Sequence, residues 1–137
     1  MAYWLLKSEP MKYPWEQMVR DGRTHWDGVR NFQAANNLKA MRRGDRGFFY
    51  HSNEGLAIVG IVEIVREYYP DPSDASGRFG MVDVKPLRPV KQPVTLQEIK
   101  AEPRLAELGL VRQSRLSVVA VGDAEWRLLC KMAGVKA

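Results

Sequence analysis

The chain has 137 residues, which suits one domain over residues 1–137 able to bury roughly two-thirds of the surface that its unfolded form exposes. No apolar run reaches the ~18 residues of a membrane span, and the opening Met-Ala-Tyr-Trp-Leu-Leu-Lys lacks a basic, secretory-type leader, so no membrane partner and a cytoplasmic location are expected. The single cysteine, Cys130, excludes an intrachain disulfide, and two histidines beside it are too few for a Cys/His zinc site, so no metal and no cofactor are expected, while a net charge of +5 favours a polyanionic partner.

Tyr3, Trp4, Leu5 and Leu6 form a short aromatic and aliphatic run, which predicts a strand over residues 2 to 7 with the polar Lys7-Ser8-Glu9 at its exit before Pro10. Tyr13 to Val19 reads as a short helix with Pro14 in its first turn, ended by Asp21-Gly22. His25-Trp26-Asp27-Gly28-Val29-Arg30-Asn31 then packs an indole, a carboxylate, a glycine, a guanidinium and an amide into one turn. Ala34, Leu38 and Met41 repeat at helical spacing over residues 31 to 42, with Asn31 as the cap and Gly44 beyond the last turn. Gly47 to His51 has strong strand propensity, with Phe48 and Tyr50 on one face and Phe49 and His51 on the other. Ser52 to Gly55 turns the chain into Leu56 to Val65, a nearly all-apolar strand in which Gly60 marks a bulge or bend.

Tyr68 to Gly77 is dense in turn formers and reads as a loop. Phe79 to Leu87 returns as a strand that Pro86, Pro89 and Pro93 end. Thr95 caps a short helix, Leu96 to Ala101, with Glu98 at the capping-box position, and residues 103 to 108 add a further turn. Leu116 to Val121 is the final strand. Asp123 caps a helix with Trp126, Leu129, Cys130 and Ala133 on one stripe, ended by Gly134, which makes Cys130 a core residue rather than a nucleophile. About five strands with short helices around them predict an α+β chain built as a small mixed-sheet barrel.

The Trp26 turn carries the chemistry. Its indole offers a flat π face of the kind that stacks on a base, worth ~1 to 3 kcal/mol. Gly28 lets backbone approach a ligand or take φ > 0, and a helix beginning near Asn31 presents free N–H groups to an anion. Arg42 and Arg43 complement the C-terminal dipole of that helix, whereas Arg30 stands at the end where a cation is disfavoured and calls for another explanation. The plainer reading makes Trp26 a core aromatic and Asn31 only a cap.

Four stretches can be matched together: Trp4-Leu5-Leu6-Lys7-Ser8-Glu9-Pro10, Trp26-Asp27-Gly28-Val29-Arg30-Asn31-Phe32-Gln33-Ala34, Gly47-Phe48-Phe49-Tyr50-His51-Ser52-Asn53 and Gln113-Ser114-Arg115-Leu116-Ser117-Val118. In this order they resemble the EVE domain family, over nearly the whole chain. The resemblance implies a PUA-like fold, a small open mixed β-barrel of five to six strands flanked by short helices and related to the YTH domains that read methylated adenine in RNA. It implies a binding module that captures a modified base, modified cytosine in DNA or a modified RNA base, in an aromatic-lined pocket. On that resemblance Trp26 matches a pocket aromatic and Lys7-Ser8-Glu9 the segment that faces the base edge. Glu9 stands where related readers can carry an amide, so the resemblance does not fix the base.

A base lifted from its stack must have its edge hydrogen-bonded and its faces covered. Ionised Glu9 can accept from the exocyclic amino group of cytosine, and Ser8 and Asn31 can donate or accept. The expected ligand-binding residues are Lys7, Ser8, Glu9, Trp26, Asp27, Gly28, Val29, Asn31, Tyr50, His51 and Ser52, although Tyr50 and His51 alternate along a strand and do not both face one pocket. Arg30, Arg42, Arg43 and Arg115 are expected at phosphates. No catalytic constellation is visible. The alternative is a small amidohydrolase, like those of the PUA-like ASCH group, acting on modified nucleosides with Lys7 or His51 as base and Glu9 as proton carrier.

Overall fold

In the computed structural model, which describes residues 1–137, the chain runs β1 (Tyr3–Ser8), α1 (Trp15–Asp21), β2 (Thr24–His25), α2 (Phe32–Ala40), β3 (Arg46–His51) and β4 (Ala57–Pro70). It continues as β5 (Gly80–Thr95), α3 (Leu96–Lys100), a 3-10 turn (Pro103–Leu105), α4 (Gly109–Arg112), β6 (Val118–Val121) and α5 (Asp123–Ala133). The strands form one mixed sheet in the order β2-β5-β4-β3-β1-β6, and the two end strands do not pair, so the sheet stays open. β1 lies parallel to β3, with Ser8 opposite His51, and antiparallel to β6. No helix is long and apolar enough to cross a membrane.

The alternation read along β3 decides the two sides of the sheet. Phe48 stacks on Trp126 of α5 at 4.1 Å, and Trp126 stacks in turn on Tyr3 at 4.3 Å, so α5 covers that face. Phe49 points the other way and meets Trp15 of α1 edge-on at 5.3 Å and Trp26 edge-on at 5.7 Å. Each such aromatic pair adds about 0.5–1.5 kcal/mol beyond its burial. Phe49 is thus the floor on which the Trp26 turn rests. Gly60 does mark a bulge, and the Trp15 ring occupies the space that a Cβ there would need. Cys130 is fully buried on the α5 stripe and burial pushes its thiol up to about 11, as befits a core residue.

Several boundaries differ from expectation for reasons beyond the local sequence. β5 runs through Pro86, Pro89 and Pro93 instead of ending there. It pairs with β2 only at Asp83 and Val84, so past that point one edge is free, and Pro86 and Pro89 sit beside shifts in the β4 register where a missing N–H is tolerated. β4 extends to Pro70 and takes in residues first read as loop. Asn31 caps α2 as expected, its Oδ1 accepting from Ala34 N at 2.9 Å, but the helix ends at Ala40 with Met41 as its cap, not near Gly44. The buried Asp45 carboxylate takes Arg42 N at 2.9 Å and Trp4 Nε1 at 3.1 Å, which draws the chain off the helix and ties it to the start of β1. Gly122 rather than Asp123 caps α5, its N–H donating to Glu125 at 2.9 Å. β2 and α4 are too short to leave a periodic signal.

Candidate functional site

Where β1 ends, the polar Lys7, Ser8 and Glu9 meet the turn that leaves β2, and between them lies a cleft of ≈ 330 Å³. That is near the lower end of the roughly 300–1,000 Å³ typical of small-molecule sites. Thr24, His25, Trp26 and Asp27 form one wall, and Lys12 and Tyr13, from the turn after Glu9, form another. Trp26 is partly buried: its ring stands nearly perpendicular to that of Phe49, with centroids 5.7 Å apart, while the residue borders the cleft. Hydroxyls from Ser8 and Thr24 and carboxylates from Glu9 and Asp27 share this space with the rings of Tyr13 and Trp26, a set able to satisfy the edge and cover the faces of a planar heterocycle.

Backbone bonds hold both walls. Trp26 N donates to Val82 O at 2.7 Å, continuing the β2–β5 pairing into the turn. Glu9 O accepts from Lys12 N at 3.0 Å and Tyr13 N at 2.8 Å, and Ser8 Oγ donates to Tyr13 O at 2.6 Å. Tyr13 Oη donates to Asp21 at 2.8 Å, and burial first, with Asp21 adding to it, pushes the phenol above its usual range. Lys7 Nζ donates to Ser114 O at 2.8 Å, and burial lowers its ammonium from the ordinary lysine value.

Beyond Trp26 the turn is clasped from behind. Gly28 has φ +75°, which a side chain would strain, and its N–H donates to Asp71 Oδ2 at 2.9 Å. Arg30 pairs with the same oxygen at 3.2 Å, reaches Ser73 Oγ at 2.9 Å and lies over the Phe79 ring at 5.7 Å. The Asp71 side chain is 1% exposed. Burial alone would raise its carboxyl, but hydrogen bonds from Ser73, Gly28 and Arg30 together outweigh it and hold the group well below the usual carboxylate range.

The predicted residues therefore part company. Lys7, Ser8, Glu9, Trp26 and Asp27 come together around the cleft. Gly28 shapes the turn instead of lining it, and Val29 is a buried core residue whose side chain packs inward. Asn31 spends its carbonyl on the α2 cap and lies beside Arg112 and Gln113, apart from Trp26. Tyr50 and Ser52 border a second trough of ≈ 550 Å³ that shares Lys7 and Glu9 with the cleft and also holds Arg115. Arg115 is exposed and without a salt-bridge partner, whereas Arg30 is engaged by Asp71. Arg42 and Arg43 are not brought to the cleft: they precede β3 at the end where Tyr3 faces Arg46, about 17 Å along the strand from Ser8. The Arg42 guanidinium lies 3.9 Å from Glu67, and Arg43 donates to the same carboxylate through its backbone N–H.

His51 is also spoken for. Pro14 supplies no side-chain cap to α1, and Trp15 N donates to His51 Nε2 at 3.1 Å, which requires an unprotonated Nε2. Burial lowers the imidazole from 6.5, with Glu16 opposing weakly. Because the folded value lies below the unfolded one, this bond stabilises fully above about pH 6.5 and is lost as pH falls through the lower folded value. Urea unfolding is expected to show a lower midpoint near pH 5.5 than near pH 7.5, and His51→Gln, which keeps an acceptor without titrating, should reduce that difference. Of the acid-base set of the hydrolase alternative, His51 is turned to α1, while Lys7, bonded to Ser114 O, and Glu9 stay together at the cleft. No cluster of three or more His, Cys, Asp or Glu is placed to hold a metal ion.

Sequence reasoning missed Lys12, Tyr13, Thr24 and His25. Tyr13 was placed inside α1, but Pro14 is the cap, and a residue before a proline is biased to extended backbone. That bias was the available signal that Tyr13 stands outside the helix.

The EVE domain model matches residues 2–132. An NMR structure of a Rhodopseudomonas palustris protein is 58% identical, with a TM-score of 0.93 covering 98% of this chain and 94% of that one. The crystal structure of human THYN1 protein in complex with 5-methylcytosine containing DNA is 31% identical, with a TM-score of 0.92 and all of both chains covered. Rat thymocyte nuclear protein 1 is 35% identical over 95% of this chain and 73% of its own length. With a family model spanning nearly every residue and the same open PUA-like sheet in its relatives, this chain belongs to the EVE domain family.

Proposed function

We propose that this chain is a binding module that reads a modified base, with 5-methylcytosine in DNA the first candidate, by holding it in the cleft beside Trp26. The observation that carries the reading is a partly buried indole on the wall of a base-sized cleft whose rim is polar. The human relative held with 5-methylcytosine DNA supports it. Glu9 or Asp27 accepts from the cytosine amino group, Thr24 donates to the remaining edge, Ser8 Oγ, its proton held by Tyr13 O, adds only an acceptor, and Trp26 and Tyr13 cover the faces. The methyl group gains apolar contact with the rings. Arg115, exposed on the trough that continues from Lys7 and Glu9, takes a neighbouring phosphate. The module performs no chemistry on the base in this reading.

Fluorescence anisotropy titrations at one fixed salt concentration test it. Oligonucleotides that differ only in one 5-methylcytosine are expected to bind about tenfold more tightly than their unmodified twins, a difference of roughly 1.4 kcal/mol. Equal affinity for both would remove the reading, and preference for a modified RNA strand would keep the reader and change its ligand.

A further inference from the structure

A base bound in this cleft leaves a hole in any duplex it came from, and the turn between Glu9 and Lys12 carries a side chain suited to fill it. Met11 is 82% exposed, more than any other large apolar residue, Met1 at 72% included. Exposure of a single apolar residue is ordinary and decides nothing alone. Its placement does more. Met11 stands between Glu9 and Lys12, both of which line the cleft. The turn that presents it is braced at its base: Lys12 N and Tyr13 N both donate to Glu9 O, Lys12 Nζ pairs with Glu9 at 3.1 Å, and Pro10 fixes one backbone torsion. An exposed apolar side chain is thus held on a firm turn between two residues of the cleft wall.

Proteins that take a base out of its stack commonly insert an apolar wedge such as Met, Leu or Phe between base steps. Methionine suits the role because it is unbranched and adapts to an irregular gap. Lys12, next in the chain and with a side chain 81% exposed, adds a cation for the strand that must approach. We propose that Met11 is the wedge that enters the duplex at the position vacated by the base held beside Trp26, so that this protein extracts its base from double-stranded DNA. This rests on the base-reader assignment above.

The test compares wild type, Met11→Ala and Met11→Leu on one sequence carrying a single 5-methylcytosine, presented as a matched duplex, as a duplex with that cytosine mispaired, and as a single strand. Met11→Ala is expected to weaken matched-duplex binding about tenfold, to weaken mispaired-duplex binding less because the base is already loosened, and to leave single-strand binding within about twofold. Met11→Leu should restore most of the duplex affinity. A 2-aminopurine placed next to the modified cytosine should brighten on binding wild type and respond less to Met11→Ala. Equal weakening on the single strand would make Met11 an ordinary contact and overturn the wedge, as would an unchanged matched-duplex affinity. Wild type that binds the modified single strand but not the duplex would overturn the wedge and leave the reader standing. Wild type that distinguishes no modified strand would overturn both.

Discussion

Trp26→Ala is expected to cost affinity for a 5-methylcytosine oligonucleotide by a factor on the order of 10 to 100, since base stacking on an aromatic side chain is worth ~1 to 3 kcal/mol. The same change should leave a folded protein. A fully buried Trp lost to Ala costs about 3–5 kcal/mol, but Trp26 is only partly buried, so a loss of about 1–2 kcal/mol is expected. Thermal melts and anisotropy titrations on one preparation separate the two effects. Trp26→Phe should recover a good part of the affinity, because a smaller π face remains. A variant that melts like a core deletion and binds like wild type would mean that the ring serves the interior and not the cleft.

Asp71→Asn is expected to destabilise the chain by about 3 kcal/mol, because it leaves buried donors and a guanidinium without the carboxylate charge they face. Each Asp71 oxygen accepts twice: Oδ1 from Ser73 N and Ser73 Oγ, and Oδ2 from Gly28 N and Arg30 Nη1. An amide replaces one of those acceptors with a donor facing donors. Since Gly28 and Arg30 lie two and four residues after Trp26, loosening the clasp should also weaken base binding at a temperature where the variant is still folded. The acid behaviour has a definite sign. The folded carboxyl lies below its ordinary value of 3.8, so its stabilisation is complete above that pH and declines as pH falls toward the lower folded value. Chemical denaturation should therefore find the gap between wild type and Asp71→Asn constant near neutrality and narrowing below about pH 4. A gap of under about 0.5 kcal/mol at neutral pH would show the clasp to be incidental.

Both expectations depend on contacts that differ in how far the sequence announced them. The indole and the polar exit of β1 were legible as a pair because their residue types are chemically conspicuous and the four matched stretches set them in one family pattern. Arg30 was noticed only as an anomaly, a cation at the wrong end of a helix. Its explanation, Asp71, stands 41 residues away in a stretch read as featureless loop. Tyr13 was misplaced by a boundary error of two residues, small along the chain but enough to move a ring from a helix into the cleft.

What the sequence determined by itself is local and periodic: β1 and β3, the faces of β3, the Asn31 and Thr95 caps, the buried stripe of α5 and the bulge at Gly60. These follow from side-chain alternation, capping chemistry and backbone freedom, which act over a few residues. Only the tertiary structure decided that β5 passes through its prolines, that Arg42 and Arg43 lie at the far end from the cleft, that Val29 is core, and that Tyr13 faces Trp26's wall. Each of those depends on which distant strand or side chain lies alongside. Pairing partner and register are set by long-range packing, and a free strand edge or a buried carboxylate becomes visible only once its neighbour is in place.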